Sequence, residues 1–279
     1  MRALRREATQ FRYAEFNPAY RESGIVQLMG EGVSGHDRGT LGTMRNAAVL
    51  LQLLSEGPLQ VTFTELSERS GLSPSTTHRL LRSMVLAGLV QQDRRTSRYS
   101  LGLHVVRLSE SYLARQPVLR ALGPYLVELR TLTEATVLVG LLVGGSVLYA
   151  DRVDAEQTGG IFRQTERFHD AFETAAGRVL VGHADPALWD SVRAASTIGV
   201  AFDEQDRAAW GAAPWLAVER TEPAGAVEIA VPVLDRSGRA VAALSALAGP
   251  KVFTEDVQPE RAAVLIRAAR AAGQAVGDA

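Results

Sequence analysis

Residues 62–88 read TFTELSERSGLSPSTTHRLLRSMVLAG, and this stretch decides the fold of the N-terminal part of the chain. Gly71 divides it into two short segments whose apolar residues have helical spacing. In the second segment Ser73 can cap a helix, Pro74 suits the first turn, and Gly88 ends the helix. Two helices joined by a tight turn that contains glycine predict a helix-turn-helix.

The residues before this stretch predict one more helix. Apolar side chains recur with helical spacing from Thr43 until Gly57 and the proline after it end the pattern. Either Thr62 or Thr64 can cap the short helix that then runs to Ser70. The N-terminal part is therefore predicted to contain three helices.

A β-hairpin is predicted directly after these helices. Residues 89–93 and 98–101 are short strand-like runs, and the polar tip between them, residues 94–97, contains two adjacent arginines. Three helices followed by a basic hairpin are the order expected of a winged helix-turn-helix, whose second motif helix enters the major groove of DNA.

Hydroxyl and guanidinium groups define the predicted DNA-reading surface. Hydroxyls at a helix N-terminus can meet phosphate, and arginine can bind guanine through two hydrogen bonds. We expect Arg79 to contact a base and the hairpin arginines to follow the DNA backbone or minor groove, although each single arginine could instead be an ordinary solvated residue. The candidate DNA-binding residues are Thr64, Ser73, Ser75, Thr76, Arg79, Arg82, Arg94, Arg95, Ser97 and Arg98.

Two neighbours on the same helix receive different interpretations. Thr77 falls in the apolar stripe with Leu80 and Leu81, so we expect a core residue. His78 lies beside that stripe without a second ligand nearby, which favours an ordinary surface or boundary histidine over a metal ligand.

Composition narrows the class of protein. The chain has 279 residues, 46% of them hydrophobic and 22% charged, with a net charge of -1, which is typical of a folded protein of two domains. Residues 39–116 contain nine cations and five anions, so this segment is basic. Without cysteine, disulfides and thiolate metal sites are excluded. The first 30 residues lack the apolar core of a signal peptide, and no apolar run is long enough for a bilayer, so we expect a cytoplasmic protein without membrane contact.

The second half combines helices with mainly antiparallel strands, which predicts an α+β fold. Gly144 and Gly145 mark a hairpin turn, as does the stretch 235–238. The predicted helices are 118–133, 175–182, 186–193 and 255–275, and the predicted strands are 136–143, 146–153, 226–234 and 240–248. We expect a flexible arm at 1–40, a winged helix-turn-helix domain at 41–102, a linker helix at 103–116 and a small-molecule domain at 117–279.

Several motifs, in this order, resemble the IclR family of bacterial transcription regulators. They are LSERSGLSPSTTHRLL (66–81), LAGLV (86–90), RYSLG (98–102), TAAGRVL (174–180) and IAVPVLD (229–235), with Leu244-Ser245. The chain departs from the family at Arg178, where lysine is usual, and at residues 215–225, which match only loosely a Gly-Tyr-Ala and acidic pattern. The resemblance implies a GAF-like α/β domain that binds a small metabolite and changes the spacing of paired DNA-binding domains.

The resemblance also implies an effector site over the sheet. Alternation in residues 226–234 places Glu228 and Ala230 on one face and aliphatic residues on the other. Glu228 then either lines the pocket or points to solvent, and the phenylalanines either close over a ligand or pack in the core. If Glu228 and Ser245 both line the pocket, the ligand needs a hydrogen-bond donor, such as an amine, amide, hydrazide or hydroxyl. The candidate effector-binding residues are Phe162, Phe168, Phe172, Ala176, Glu228, Ala230, Ser245 and Leu247.

Together these features predict a ligand-responsive repressor that binds a palindromic operator as a dimer or tetramer. Val105, Leu108 and Tyr112 of the linker helix are the expected dimer seam. We expect no catalytic residue, metal or cofactor, since hydrolase, zinc and phosphate-loop motifs are absent from the sequence. The alternatives are a small-molecule-binding enzyme with a helical appendage and an architectural DNA-binding protein with an empty sensor.

Overall fold

The computed structural model describes residues 38–156, 168–196, 198, 201–221 and 224–276. The described chain forms two units, which meet in sequence between Tyr112 and Leu113. Among the described helices, none combines the length and the apolar character that a bilayer crossing requires.

The first unit is a winged helix-turn-helix. Its first helix begins at Arg38, five residues before the predicted start, so residues 38–40 belong to a helix and not to the predicted arm. The remainder of that arm lies outside the described residues. The elements are α1 (Arg38–Glu56), α2 (Phe63–Ser70), α3 (Pro74–Leu86), β1 (Val90–Gln92), β2 (Tyr99–Leu101) and α4 (Leu103–Ala114).

Local capping explains why the two helices of the motif start where they do. The Thr62 hydroxyl accepts a hydrogen bond from the Glu65 backbone N–H, and the Glu65 carboxylate accepts one from the Thr62 N–H at 2.9 Å. This reciprocal pair makes Thr62 the cap of α2, so the alternative cap at Thr64 is wrong. Ser73 caps α3 as predicted by accepting from the Thr76 N–H at 3.3 Å.

One apolar cluster holds the three helices and the hairpin together. Leu50 of α1, Leu66 of α2 and Leu81 of α3 are almost fully buried in it, and Tyr99 packs there from β2. Thr77 is fully buried, as predicted. The opposite face of α3 does not contribute to this cluster.

The second unit is α+β. Its helices and strands match the predicted elements to within two residues, except that the last helix begins at Gln258, three residues later than predicted, and that four short elements were not predicted. The elements are α5 (Pro117–Thr133), β3 (Thr136–Val143), β4 (Ser146–Val153), β5 (Phe168–Asp170), a 3-10 helix (Ala171–Glu173), α6 (Ala175–Gly182), α7 (Pro186–Ala195), α8 (Glu204–Ala212), β6 (Leu216–Glu219), β7 (Val227–Leu234), β8 (Ala240–Ala248) and α9 (Gln258–Ala275).

A six-stranded antiparallel sheet forms the centre of this unit, in the order β5-β4-β3-β8-β7-β6. On one face, Ile229, Val231 and Val233 of β7 join the cluster that includes α5 and α9, which confirms the predicted alternation. On the other face, Ala230 joins a second cluster that includes α6. Because both faces are covered, residues 228–231 of β7 are all buried.

Candidate DNA-reading surface and effector site

The N-terminus of α3 carries a group of three hydroxyls. The Ser73 Oγ lies 3.1 Å from the Ser75 Oγ and 2.9 Å from the Thr76 Oγ1. Ser73 and Ser75 are exposed, and Thr76 is half-buried. Hydroxyls at the positive end of a helix dipole are well suited to a phosphate oxygen.

Arg79 and Arg82 extend this surface along α3. Both are exposed, and they follow Ser75 at helical spacings of four and seven residues, so the three side chains share one face. Leu80 and Leu81 hold the opposite face in the core. Guanidinium groups on the exposed face of this helix can reach the edges of bases in a major groove.

Asp93 shapes the tip of the hairpin. Its Oδ1 accepts hydrogen bonds from the backbone N–H groups of Arg95 at 2.7 Å and Thr96 at 2.9 Å. Those backbone donors, Thr96 first, hold the pKa of Asp93 below its usual value. Ser97 adopts a positive φ of 58° in the same turn.

The arginines of the tip project into solvent as a result. Arg94, Arg95 and Arg98 are all exposed, together with Ser97, and Thr64 is exposed in the first turn of α2. Every candidate DNA-binding residue is thus accessible on the first unit except the half-buried Thr76. Their contact with DNA stays a prediction.

His78 is exposed, and its ring meets that of Phe63 edge to face with a centroid distance of 6.3 Å. A histidine that packs on a neighbouring ring at the edge of the core fits the interpretation as a boundary residue.

The sheet face that includes Ala230 contains a buried polar cluster. The Glu228 carboxylate accepts hydrogen bonds from the Tyr149 hydroxyl at 2.7 Å and from the Ala175 N–H, the first of α6, at 3.1 Å. Arg220 forms an ion pair with it, with Nη1 3.0 Å from Oε2. The solvated alternative for Glu228 is therefore wrong, because its side chain is 0% exposed and already receives three hydrogen bonds.

Arg220 ties this cluster to the edge of the sheet. Its Nη1 also donates to the Tyr149 hydroxyl at 3.1 Å, and its Nη2 lies 3.0 Å from the Nδ1 of His169 on β5. Burial alone lowers the pKa of Arg220, but the Glu228 carboxylate and Tyr149 outweigh that effect, so the pKa rises and the side chain stays charged. Burial, and then the Glu228 charge, raises the pKa of Tyr149 well above its usual value.

The residues Tyr149, His169 and Arg220 were not predicted to belong to the site. They could have been found from the antiparallel pairing of residues 216–219 with β7, because that pairing places Val218 opposite Glu228 and brings Arg220 next to the carboxylate. Predicting the pairing requires that β6 be recognised as a strand, and β6 has only four residues in a stretch that resembles the family only loosely.

Ser245 lies on the same face, between Leu138 of β3 and Ala230 of β7 in the sheet register. It is fully buried, and its Oγ has no hydrogen-bond partner among the residues that the structure describes. Ala176 and Leu247 are buried on this face as well. A lone hydroxyl among small side chains provides one polar contact for an uncharged or charged group of a ligand.

The three candidate phenylalanines have different outcomes. Phe162 lies outside the described residues. Phe168, on the edge strand β5, is 38% exposed. Phe172 is buried and meets the rings of Trp189 and Trp210 at centroid distances of 5.5 and 5.9 Å, so its packing favours the core alternative.

The arginine at position 178 has a local structural role. Its Nε donates to the Phe172 carbonyl at 2.9 Å, and its guanidinium lies 5.2 Å from the centre of the Phe202 ring and 5.5 Å from that of Trp210. Arginine stacks on aromatic rings more effectively than lysine, which accounts for this departure from the family.

The comparisons with known proteins agree with both units. The IclR helix-turn-helix domain matches residues 43–94. The HTH-type transcriptional regulator KdgR of Escherichia coli is 29% identical over 230 residues, which cover 79% of this chain and 87% of that protein. KdgR of Dickeya chrysanthemi is 29% identical over 235 residues, which cover 79% of this chain and 75% of that protein.

Among solved structures, an IclR transcriptional regulator from Alicyclobacillus acidocaldarius superposes with a TM-score of 0.67. It is 23% identical, and the match covers 85% of this chain and 99% of that one, so it establishes the fold. This chain therefore contains an IclR helix-turn-helix domain, has the fold of a solved IclR regulator and is similar to transcriptional regulators over most of its length.

Proposed function

We propose that this regulator is a ligand-responsive repressor of the cytoplasm that binds a palindromic operator in double-stranded DNA. The observation that carries the proposal is the exposed face of α3, where hydroxyls at the helix N-terminus are followed by Arg79 and Arg82 beside a wing of three exposed arginines. That arrangement supplies both contacts that position a protein on the phosphate backbone and contacts that read bases.

The residues divide by role. Arg79 reads a base, because it is exposed one turn beyond the phosphate-suited N-terminus of α3. The other candidates bind phosphate or sugar, and their contribution depends on salt. We keep the predicted division into a reading domain (41–102), a linker helix (103–116) and an effector domain (117–279) as part of this proposal.

The regulator acts as a dimer or a pair of dimers joined through α4. The structure describes all of α4, and none of its residues is buried. Leu108, which is apolar, and Tyr112, which is amphipathic, are both large and both exposed. A helix with such side chains on its surface suits a partner helix of a second copy.

The effector binds on the sheet face that includes Ala230 and Ser245. Ser245 offers a buried hydroxyl whose hydrogen-bonding capacity is unused within the described residues. The ligand would need a hydrogen-bond donor only if the Glu228 carboxylate were unpaired, and Arg220 neutralises that charge. Aromatic or short-chain acids, amides and hydrazides are therefore all suitable classes, and the effector weakens operator binding by favouring one arrangement of the DNA-binding domains.

The decisive experiment measures DNA binding by fluorescence anisotropy. The purified protein is titrated against DNA from upstream of its own gene and against random DNA over a salt series, with and without a panel of acids, amides and hydrazides. Tight, salt-sensitive binding that one compound weakens supports the proposal. Consumption of a panel compound without preference for any operator would support an enzyme, and DNA binding that no compound alters would support an architectural protein.

A further inference from the structure

The end of α3 and the start of α4 meet in a joint built from two glycines. The Gly102 N–H donates to the Leu89 carbonyl at 2.8 Å, and the His104 N–H donates to the Gly88 carbonyl at 3.3 Å. The chain after α3 and the chain before α4 are therefore connected backbone to backbone, although the whole wing separates them in sequence.

Neither glycine of this joint tolerates a side chain. A Cβ on Gly102 would lie 2.1 Å from the Gly88 carbonyl oxygen, which real structures do not allow. Gly88 has a φ of 70°, and a Cβ there would lie 2.8 Å from Nδ1 of His104. The glycines therefore allow the two backbone segments to lie in direct contact.

His104 closes the joint from the α4 side. Its Nδ1 lies 2.7 Å from the carbonyl oxygen of Ala87, the residue that caps the C-terminus of α3. Because a carbonyl oxygen can only accept, Nδ1 carries the hydrogen and donates it. The bond satisfies a carbonyl at the end of α3, where the helix has no internal partner to offer.

We propose that His104 is a positioning residue that fixes the direction of α3 relative to α4. This inference rests on the proposed function, in which α4 carries the dimer seam and α3 reads the operator. A helix of 13 residues is about 20 Å long, so a tilt of about 10° at Ala87 moves its N-terminus by about 3 Å, the length of a hydrogen bond. Two half-sites can be read together only when both copies hold this angle.

The test compares DNA with two half-sites and DNA with one. His104→Ala is expected to lose about tenfold in affinity for two half-sites, the equivalent of one hydrogen bond. It should leave the affinity for a single half-site unchanged, because the surface of α3 itself is intact. His104→Asn, whose amide nitrogen occupies the place of Nδ1 and can replace the lost donor, is expected to restore most of the affinity for two half-sites.

Ser111→Ala is the matched control, because Ser111 is exposed and uncharged and lies on the same helix two turns beyond His104. Equal losses by His104→Ala on both DNAs, or no loss on either, would overturn the proposal. A second readout needs no DNA: hydrogen exchange of the Gly102 N–H should be faster in His104→Ala than in the wild type and Ser111→Ala. Unchanged exchange also overturns the proposal, whereas failure of the wild type to bind any operator counts against the proposed function alone.

Discussion

The arginines of the candidate DNA-reading surface and the buried Arg220 of the second unit differ in what their donors contact. In the first unit Arg79, Arg82 and the wing arginines are exposed. In the second, Arg220 is 4% exposed and directs its donors at Glu228, Tyr149 and His169. An exposed guanidinium keeps its donors for an external partner, whereas a buried one needs internal acceptors to offset the loss of water. The environment of the side chain, and not its type, decides whether an arginine serves recognition or structure.

Removing the buried arginine should give the largest effect. Arg220→Ala leaves Glu228 enclosed without its counter-ion, and we expect a loss of about 3–5 kcal/mol in the free energy of unfolding of the second unit. Urea denaturation followed by tryptophan fluorescence measures this unit alone, because all three tryptophans, at positions 189, 210 and 215, belong to it.

Two variants complete that measurement. Arg239→Ala removes an arginine whose side chain is 63% exposed beside Asp235, so we expect a change below about 0.5 kcal/mol. Arg220→Met combined with Glu228→Gln should be more stable than Arg220→Ala, because no unpaired charge stays in the core. A loss for Arg239→Ala as large as that for Arg220→Ala would remove the contrast between buried and exposed arginines.

The next effect concerns the exposed arginines. Arg79→Ala should cost about 1–3 kcal/mol of binding free energy on the operator and much less on random DNA, because a base contact is lost. Arg95→Ala is the matched comparison and should weaken binding to both DNAs alike, with a salt slope lower by about one. Anisotropy titrations over a salt series measure both quantities. If each variant loses equally on both DNAs, the division of roles on this surface is wrong.

The cap of α2 should have a smaller effect. Thr62→Ala removes the hydroxyl that accepts from Glu65, and we expect the first unit to lose about 1 kcal/mol of stability. Faster hydrogen exchange of the α2 amides, measured by mass spectrometry, would report it. Thr64→Ala, two residues away and exposed, should leave this exchange unchanged; acceleration in both variants would point to a general loosening of the unit.

The smallest effect is a pH dependence of the wing. The pKa of Asp93 is lowered in the folded turn, so its contribution to wing stability is present above the usual value of 3.8 and is lost as the pH falls further. Amide exchange at Arg95 and Thr96 should therefore accelerate in acid, beyond the intrinsic pH dependence of exchange. Asp93→Asn removes the charge and should abolish this additional acceleration; its persistence would assign the effect to another group.

The sequence was sufficient for most of the first unit because its signals are local. Ser73 and Pro74 mark the start of α3 and Gly88 marks its end, and the structure confirms all three positions. The cap of α2 was ambiguous between Thr62 and Thr64 because both hydroxyls precede helical residues. Only the hydrogen bond from the Thr62 N–H back to the Glu65 carboxylate identifies Thr62 as the cap.

The second unit was predictable in its long elements but not in its polar cluster. Residues 226–234 alternate clearly, yet alternation alone does not tell whether the face with Glu228 is open or covered. Tyr149 lies on β4, His169 on β5 and Arg220 directly after β6, so these residues meet only through the order of the sheet. Such long-range contacts leave no periodic pattern in any single segment. The polar cluster could therefore not be predicted until the order of the strands was known.

The order of the central sheet has a consequence for synthesis on the ribosome. The wing pairs residues that lie close in the chain, such as Val90 with Leu101, so the first unit can fold as soon as it has emerged. In the sheet, Thr136 pairs with Leu247, and β3 cannot acquire its partner β8 until nearly the whole chain has been made. At about 5–20 residues per second, this delay is on the order of ten seconds. During that interval each nascent chain presents a folded helix-turn-helix unit ahead of a second unit that still exposes its apolar strands.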